Sequence, residues 1–203
     1  MKIYAISLKQ QMDRQTVLKE YFKDVEIVDA IDKVNIKRTS DLKNGEIACF
    51  LSHMKIWKMV SEQDHNDWVL VLEDDAKPKK DWKIILDEAL KEIPEKYGVI
   101  YMGGARKDTM KRIIERRKLD INKFKFHENQ SLGKYTEVCN PVVKTHAYLI
   151  KPSTATFLLK SIINIELPID LQWWLYGIDF ARFKKTLIVQ NNIFKSTIQG
   201  SCK

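Results

Sequence analysis

The sequence predicts an α/β fold, on the strength of three stretches. Residues 68–72 (Trp-Val-Leu-Val-Leu) form a continuous apolar run of the length and composition of a strand buried on both faces. Residues 99–102 (Val-Ile-Tyr-Met) form a second such run, closed by Gly103 and Gly104. Between them Trp82, Ile85, Leu86, Ala89 and Leu90 recur at helical spacing from Asp81 to near Pro94. Strand, helix and strand in that order predict a βαβ unit within a parallel or mixed sheet.

The remaining elements follow in chain order. Residues 2–8 alternate as a strand, and Val17, Leu18, Tyr21 and Phe22 then mark a helix. A short strand is expected near 25–28. Asn44 is read as the cap of a helix that carries Glu46 in its first turn and Ile47, Phe50, Leu51, Met54 and Trp57 on one side. The second half is less regular: a strand over 144–150, a helix from Pro152 to about Ile163, a short helix opened by Pro168 and a last strand over 186–190. No repeat, low-complexity segment or Gly/Ser linker divides the chain, so residues 1–203 are read as a single domain.

Composition narrows the classes. Hydrophobic residues at 44% and charged residues at 31% exclude a disordered tail and a collagen-like repeat. Cys49, Cys139 and Cys202 are odd in number and widely spaced, which suggests neither a disulfide framework nor a zinc site. The N-terminal apolar stretch is too short and interrupted for a signal peptide or membrane span, so a cytoplasmic location is expected. The net charge of +8 favours an anionic partner and is concentrated in 106–118, where Arg106, Lys107, Lys111, Arg112, Arg116, Arg117 and Lys118 oppose only Asp108 and Glu115. That run suits a solvated helix face or an anion-binding patch. No RNA- or DNA-binding motif accompanies it, and no nucleic-acid partner is expected.

The chemistry concentrates at Glu73-Asp74-Asp75, where three carboxylates directly follow a buried strand. Like charges in a partly desolvated place repel and raise one another's pKa, so a cation is expected there. A hard divalent ion bound through one or two carboxylates and the oxygens of a diphosphate would supply it; an exposed acidic turn is the plainer alternative. Open α/β sheets bind ligands at the C-terminal ends of their strands. Glu46 and His53, seven residues apart, project on nearly the same side of a mostly apolar helix.

Two segments in this order, 42–53 (Leu-Lys-Asn-Gly-Glu-Ile-Ala-Cys-Phe-Leu-Ser-His) and 69–76 (Val-Leu-Val-Leu-Glu-Asp-Asp-Ala), resemble glycosyltransferase family 25, which includes bacterial lipooligosaccharide glycosyltransferases and collagen galactosyltransferases. The likeness continues at Ile6-Ser7-Leu8 with Asp13-Arg14, at 99–103, at 145–150, at 168–170 and at Gln190 with 196–198.

The resemblance implies a GT-A-type nucleotide-sugar-binding fold, a mostly parallel mixed sheet flanked by helices. It implies an inverting hexosyltransferase that moves galactose, or next glucose, from a UDP-sugar to an oligosaccharide or glycolipid such as lipooligosaccharide. Glu73 and Asp75 take the place of the family's Asp-x-Asp metal motif for Mn²⁺ or Mg²⁺, with Asp74 a possible ligand instead. Ser7, Arg14, Glu46, His53, Asp74 and Gly103 are placed on the donor side. Asp170 is assigned as the base, with a helix cap as its alternative role. Trp173 and Tyr148 are assigned to the acceptor, one of Trp173 and Trp174 being expected in the core, and only one of Tyr148 and His146 facing the site. The 106–118 run would hold a phosphorylated acceptor or an anionic membrane. Lys43-Asn44 and Val143-Lys144 depart from the family pattern, the second in a way that bears on acceptor choice. A different class of function is a catalytically silent module that binds a glycan or protein.

Overall fold

The computed structural model describes residues 1–37, 42–103, 107–128 and 130–194. Gly104, Arg106, Cys202 and the segment 196–198 therefore lie outside the described residues.

The chain alternates strands and helices: β1 (Ile3–Ser7), α1 (Met12–Tyr21), β2 (Val25–Asp29), α2 (Asn44–Ser61), β3 (Val69–Glu73), β4 (Ala76–Pro78), α3 (Trp82–Ala89) and β5 (Val99–Tyr101). Then come α4 (Lys107–Arg116), β6 (Thr136–Val138), β7 (Ala147–Ile150), α5 (Pro152–Ser161), α6 (Ile169–Gln172), a 3₁₀ turn (Trp173–Tyr176), β8 (Phe180–Phe183) and β9 (Ile188–Gln190). Seven strands form one sheet in the order β2-β1-β3-β7-β5-β8-β6. β1, β2, β3, β5 and β8 run one way, and β7 and β6 run against them. This is the predicted mixed α/β sheet, with one correction. The strands of the predicted βαβ unit, β3 and β5, are not neighbours, because β7 inserts antiparallel between them. β4 and β9 pair as a separate two-stranded ribbon, so the last strand leaves the main sheet.

Side-chain alternation assigns each strand residue to a face. Val69, Val71, Tyr148 and Ile150 point into the layer built with Phe50, Ile56, Trp57 and Val60 of α2, Met110 and Ile114 of α4, Leu158 of α5 and Ile169 of α6. Leu70, Leu72 and Leu149 point the other way, toward Leu18 of α1 and Leu86 and Ala89 of α3. Glu73 shares the parity of Val69 and Val71, so it emerges on the α2 side of the sheet. The parallel registers bring Ser7 beside Asp29 and Ile6 beside Glu73, which gathers the C-terminal ends of β1, β2 and β3 at one edge.

The α2 cap differs from expectation. Asn44 is already the first helical residue, and its Nδ2 donates to the Ile36 carbonyl at 3.0 Å. Glu46 instead reaches back to accept from the Lys43 backbone N–H at 3.0 Å.

Gly103 follows β5 where there is no room for a side chain: a Cβ there would stand 2.3 Å from His146 Nε2 and 2.3 Å from the Ile188 carbonyl oxygen. Because one of those atoms is backbone, Gly103→Ala is expected to lower unfolding free energy by about 1–3 kcal/mol, the usual cost of overpacking, read from urea melts.

Candidate functional site

The three carboxylates at the end of β3 each meet a different environment. Asp74 is neutralised internally: Arg14 NH1 donates to its Oδ1 at 2.8 Å and Ser7 Oγ to its Oδ2 at 2.9 Å. Arg14 is only 5% exposed and carries the Phe194 ring 5.0 Å from its guanidinium carbon. Arg14, expected to contact a donor directly, is turned onto Asp74. With both oxygens engaged, Asp74 is poorly placed to bind a cation.

Glu73 Oε1 accepts from Thr145 Oγ1 at 2.7 Å and lies 3.6 Å from His53 Nε2. Burial alone would push its pKa up, but the His53 and Thr145 contacts outweigh it and hold Glu73 below its ordinary value. Its anionic form is thereby favoured. His53 is fully buried and is fixed from behind: Trp57 Nε1 donates to Tyr148 Oη at 2.9 Å, and Tyr148 Oη lies 2.9 Å from His53 Nδ1. The indole can only donate, so the tyrosine proton is directed to Nδ1, which leaves the histidine proton on Nε2 facing Glu73.

Asp75 is the least satisfied of the three. Gln190 Nε2 donates to Oδ2 at 3.1 Å, while the buried Oδ1 has no hydrogen-bond partner. Burial first, then Glu73 and Asp74, raise the Asp75 pKa to about 7. A buried carboxylate oxygen without a donor has its lone pairs free for a cation. The donor atoms of Cys49, His53 and Glu73 also lie within 4.8 Å of one another, a group able to hold a metal ion. Two of those donors suit it poorly. The Cys49 thiol is pushed well up by burial and by Glu73, Asp170 and Glu46, and His53 already presents a proton at Nε2. The oxygens of Glu73 and Asp75 suit a hard divalent ion better.

Two cavities meet at Glu73 and Cys49. The first, about 100 Å³, lies over the ends of β1 and β2 and is walled by Ser7, Asp32, Lys33, Gly45, Ser52, His53 and Asp74 among others. The second, about 460 Å³, is lined by Glu46, Arg116, Arg117, Lys144, Thr145, Asp170 and Gln190. Asp170 Oδ2 accepts from the Lys144 backbone N–H at 3.0 Å, and burial raises its pKa. It does not cap α6 with its side chain. Glu46 is paired with Arg117 at the end of the basic run.

The structure thus brings Ser7, Glu46, His53, Glu73, Asp74 and Asp170 to the cavity walls, with Arg14 and Asp75 just behind. Placement differs from expectation at Trp173 and Trp174, at Tyr148 and His146, and at Gly103. Trp173 is fully buried, stacked on Trp57 at 6.1 Å and packed edge-on to Tyr101 and Tyr148, so it offers no face to a sugar. Trp174 is buried as well and donates to the Val142 carbonyl, so both tryptophans belong to the core. Tyr148 is fully buried and its hydroxyl is used by His53 and Trp57, which makes it a support for the site rather than an acceptor contact. His146 is also buried, donating from Nε2 to the Ile188 carbonyl, so neither of that pair faces the cavity. Gly103 lines a separate small cavity with Arg182 and Thr186, and packing accounts for it. Sequence reasoning gave Asp32 no role and named Thr145 and Gln190 only within matching segments and Arg117 only within the basic run; the fold brings them to the cavity walls.

The family model described as glycosyltransferase family 25 (LPS biosynthesis protein) matches residues 1–173. A glycosyltransferase of Acanthamoeba polyphaga mimivirus is 26% identical over 120 residues, covering 51% of this chain and 37% of that protein. Procollagen galactosyltransferase 2 of Mus musculus is 30% identical over 132 residues, covering 52% of this chain and 21% of that protein. The matched regions therefore span well under half the length of these relatives. Among solved structures, a glucose-1-phosphate thymidylyltransferase from Bacillus anthracis matches with a TM-score of 0.42 at 10% identity, covering 92% of this chain and 69% of that one.

A carboxyl whose pKa is raised by folding stabilises the fold only while protonated, so stability is lost as pH rises from the ordinary carboxylate range through about 7. In chelator, Asp75→Asn is expected to melt at least about 3 °C above the parent at pH 8, equivalent to about 1 kcal/mol for a chain of this size. The gap should close as pH falls below about 6, which differential scanning calorimetry across pH checks.

Proposed function

The chain belongs to glycosyltransferase family 25, and from that premise we propose that it transfers a hexose, galactose or next glucose, from a UDP-sugar to an oligosaccharide acceptor such as lipooligosaccharide. The observation that carries this reading is the shared wall. Glu73 borders both cavities, and Asp170 lines the larger one with it. The nucleoside lies over the ends of β1 and β2, in the cavity lined by Ser7 and Asp32, and the sugar crosses Glu73 into the cavity that holds the acceptor.

Transfer is a single inverting displacement. The acceptor hydroxyl attacks the anomeric carbon, the bond from that carbon to the diphosphate breaks, and Asp170 takes the hydroxyl proton. Burial raises the Asp170 pKa, which makes it a stronger base than a solvated carboxylate, and the Lys144 N–H fixes one of its oxygens. Glu73 and Asp75 would hold Mn²⁺ or Mg²⁺, which supplies Lewis-acid neutralisation of the departing diphosphate when bound. His53 and Thr145 keep Glu73 ionised and oriented for that task, and Arg14 and Ser7 keep Asp74 from repelling it.

No described helix is long and apolar enough to cross a membrane. Under this reading the enzyme works in the cytoplasm and meets a glycolipid acceptor at the anionic inner face of the membrane, through α4.

With Mn²⁺ present, calorimetric titration with a panel of nucleotide sugars is expected to show binding of one UDP-hexose that is lost on chelation and in Asp75→Ala. Asp170→Asn should bind that donor normally yet lose transfer by about a hundredfold or more, the scale of a missing general base. A folded protein that binds no nucleotide sugar would move the reading to a silent glycan- or protein-binding module.

A further inference from the structure

Lys144 has a backbone φ of 84°, a left-handed conformation that a residue with a side chain adopts at a cost in strain. It is exposed between buried neighbours, Val143 on one side and Thr145 on the other. The strained turn aims two groups of one residue at two parts of the site. The backbone N–H donates to Asp170 Oδ2 at 3.0 Å, and the ammonium donates to Gln190 Oε1 at 2.7 Å. Gln190 in turn donates to Asp75 Oδ2 at 3.1 Å. Lys144 also lines the larger cavity together with Glu73 and Asp170.

A glycine would adopt this φ without strain and keep the N–H on Asp170, and asparagine would adopt it more readily than lysine. What lysine alone adds is a cation, held against a neutral amide rather than a carboxylate. An ammonium on a neutral partner exchanges it readily for an anion, because a charge-assisted bond to phosphate is the stronger of the two.

We propose that Lys144 is a catalytic residue of this site, its ammonium moving from Gln190 onto the phosphate oxygens of the donor and neutralising the diphosphate as it leaves. The proposal rests on the glycosyl-transfer reading above. The bond from the anomeric carbon to the phosphate oxygen breaks with its electron pair on that oxygen, the acceptor oxygen forms the new bond, and its proton passes to Asp170. Lys144 keeps its protons throughout and contributes hydrogen bonds and charge. Gln190 remains on Asp75.

The experiment compares the full chain with Lys144→Gly, Lys144→Asn and Lys144→Arg in calorimetric binding of UDP and of uridine with Mn²⁺, in melting temperature and in transfer rate. The glycine and asparagine variants are expected to melt at or above the parent, since strain is relieved. They should bind uridine as the parent does but UDP at least tenfold more weakly, with kcat/KM down tenfold or more and partly restored in Lys144→Arg. Parental UDP affinity and turnover in Lys144→Gly would overturn the proposal, leaving Lys144 as a turn residue. Equal loss of uridine and UDP binding would also overturn it, since the damage would not be specific to phosphate. A parent protein that binds uridine but gains nothing from the diphosphate would overturn the glycosyl-transfer reading itself.

Discussion

Everything at the sheet edge follows from the need to keep three consecutive carboxylates at the end of a strand buried on both faces. Two such charges about 6 Å apart repel by about 3 kcal/mol at an effective dielectric of about 20, before any desolvation. The fold resolves this unequally. Asp74 is cancelled by Arg14 and Ser7, drawn from the start of α1 and the end of β1. Glu73 is held ionised by Thr145 and His53, from the loop before β7 and from α2. Asp75 is left with a single amide and a raised pKa. Five separate segments must dock correctly before the triplet is tolerable, and the charge left least satisfied is that of Asp75.

The same arrangement explains why the aromatic core lies directly beneath the site. His53 can face Glu73 only if its other nitrogen is occupied, and Tyr148 occupies it while being pinned by the Trp57 indole. Trp173 stacks against Trp57 and packs edge-on against Tyr148, so both members of the pair are wedged by one buried ring. Side chains that would be mobile on a surface are thereby held to one rotamer and one tautomer, the preorganisation an electrostatic site requires. The two residues assigned from sequence to the acceptor therefore hold His53 in place from the core.

Strongly periodic features of the fold were legible in the sequence, and pairwise ones were not. The apolar runs at β3 and β5 and the α2 periodicity reflect burial, which is written residue by residue. The insertion of β7 between β3 and β5 depends on a partner about 80 residues beyond β3 and about 50 beyond β5, and nothing in either run records it. β6 and β8 are short and lie in the irregular second half, where no alternation announces them. At the site, the acidic triplet stood out by its own chemistry, while His53 and Asp170 were assigned through the family resemblance. Whether an aromatic residue such as Trp173 faces solvent or core is decided by Tyr101 and Phe180, which reach it from other strands. Gln190 was matched only as part of the family's closing segment; its place in the site comes from β9 pairing with β4 immediately after the triplet.

That ribbon also sets how the two halves of the site communicate. β4 begins at Ala76, directly after Asp75, and Asn191 just past β9 donates its backbone N–H to the Asp75 carbonyl at 2.6 Å. Gln190 is thus held beside Asp75 by main-chain pairing, while its side chain spans to Lys144 and so to the turn that orients Asp170. Asp75 and Asp170 are thus connected through one amide and one residue of positive φ, outside the main sheet. The packed aromatic layer lies beneath Glu73, and the ribbon and the Lys144 turn join the other two carboxylates of the site.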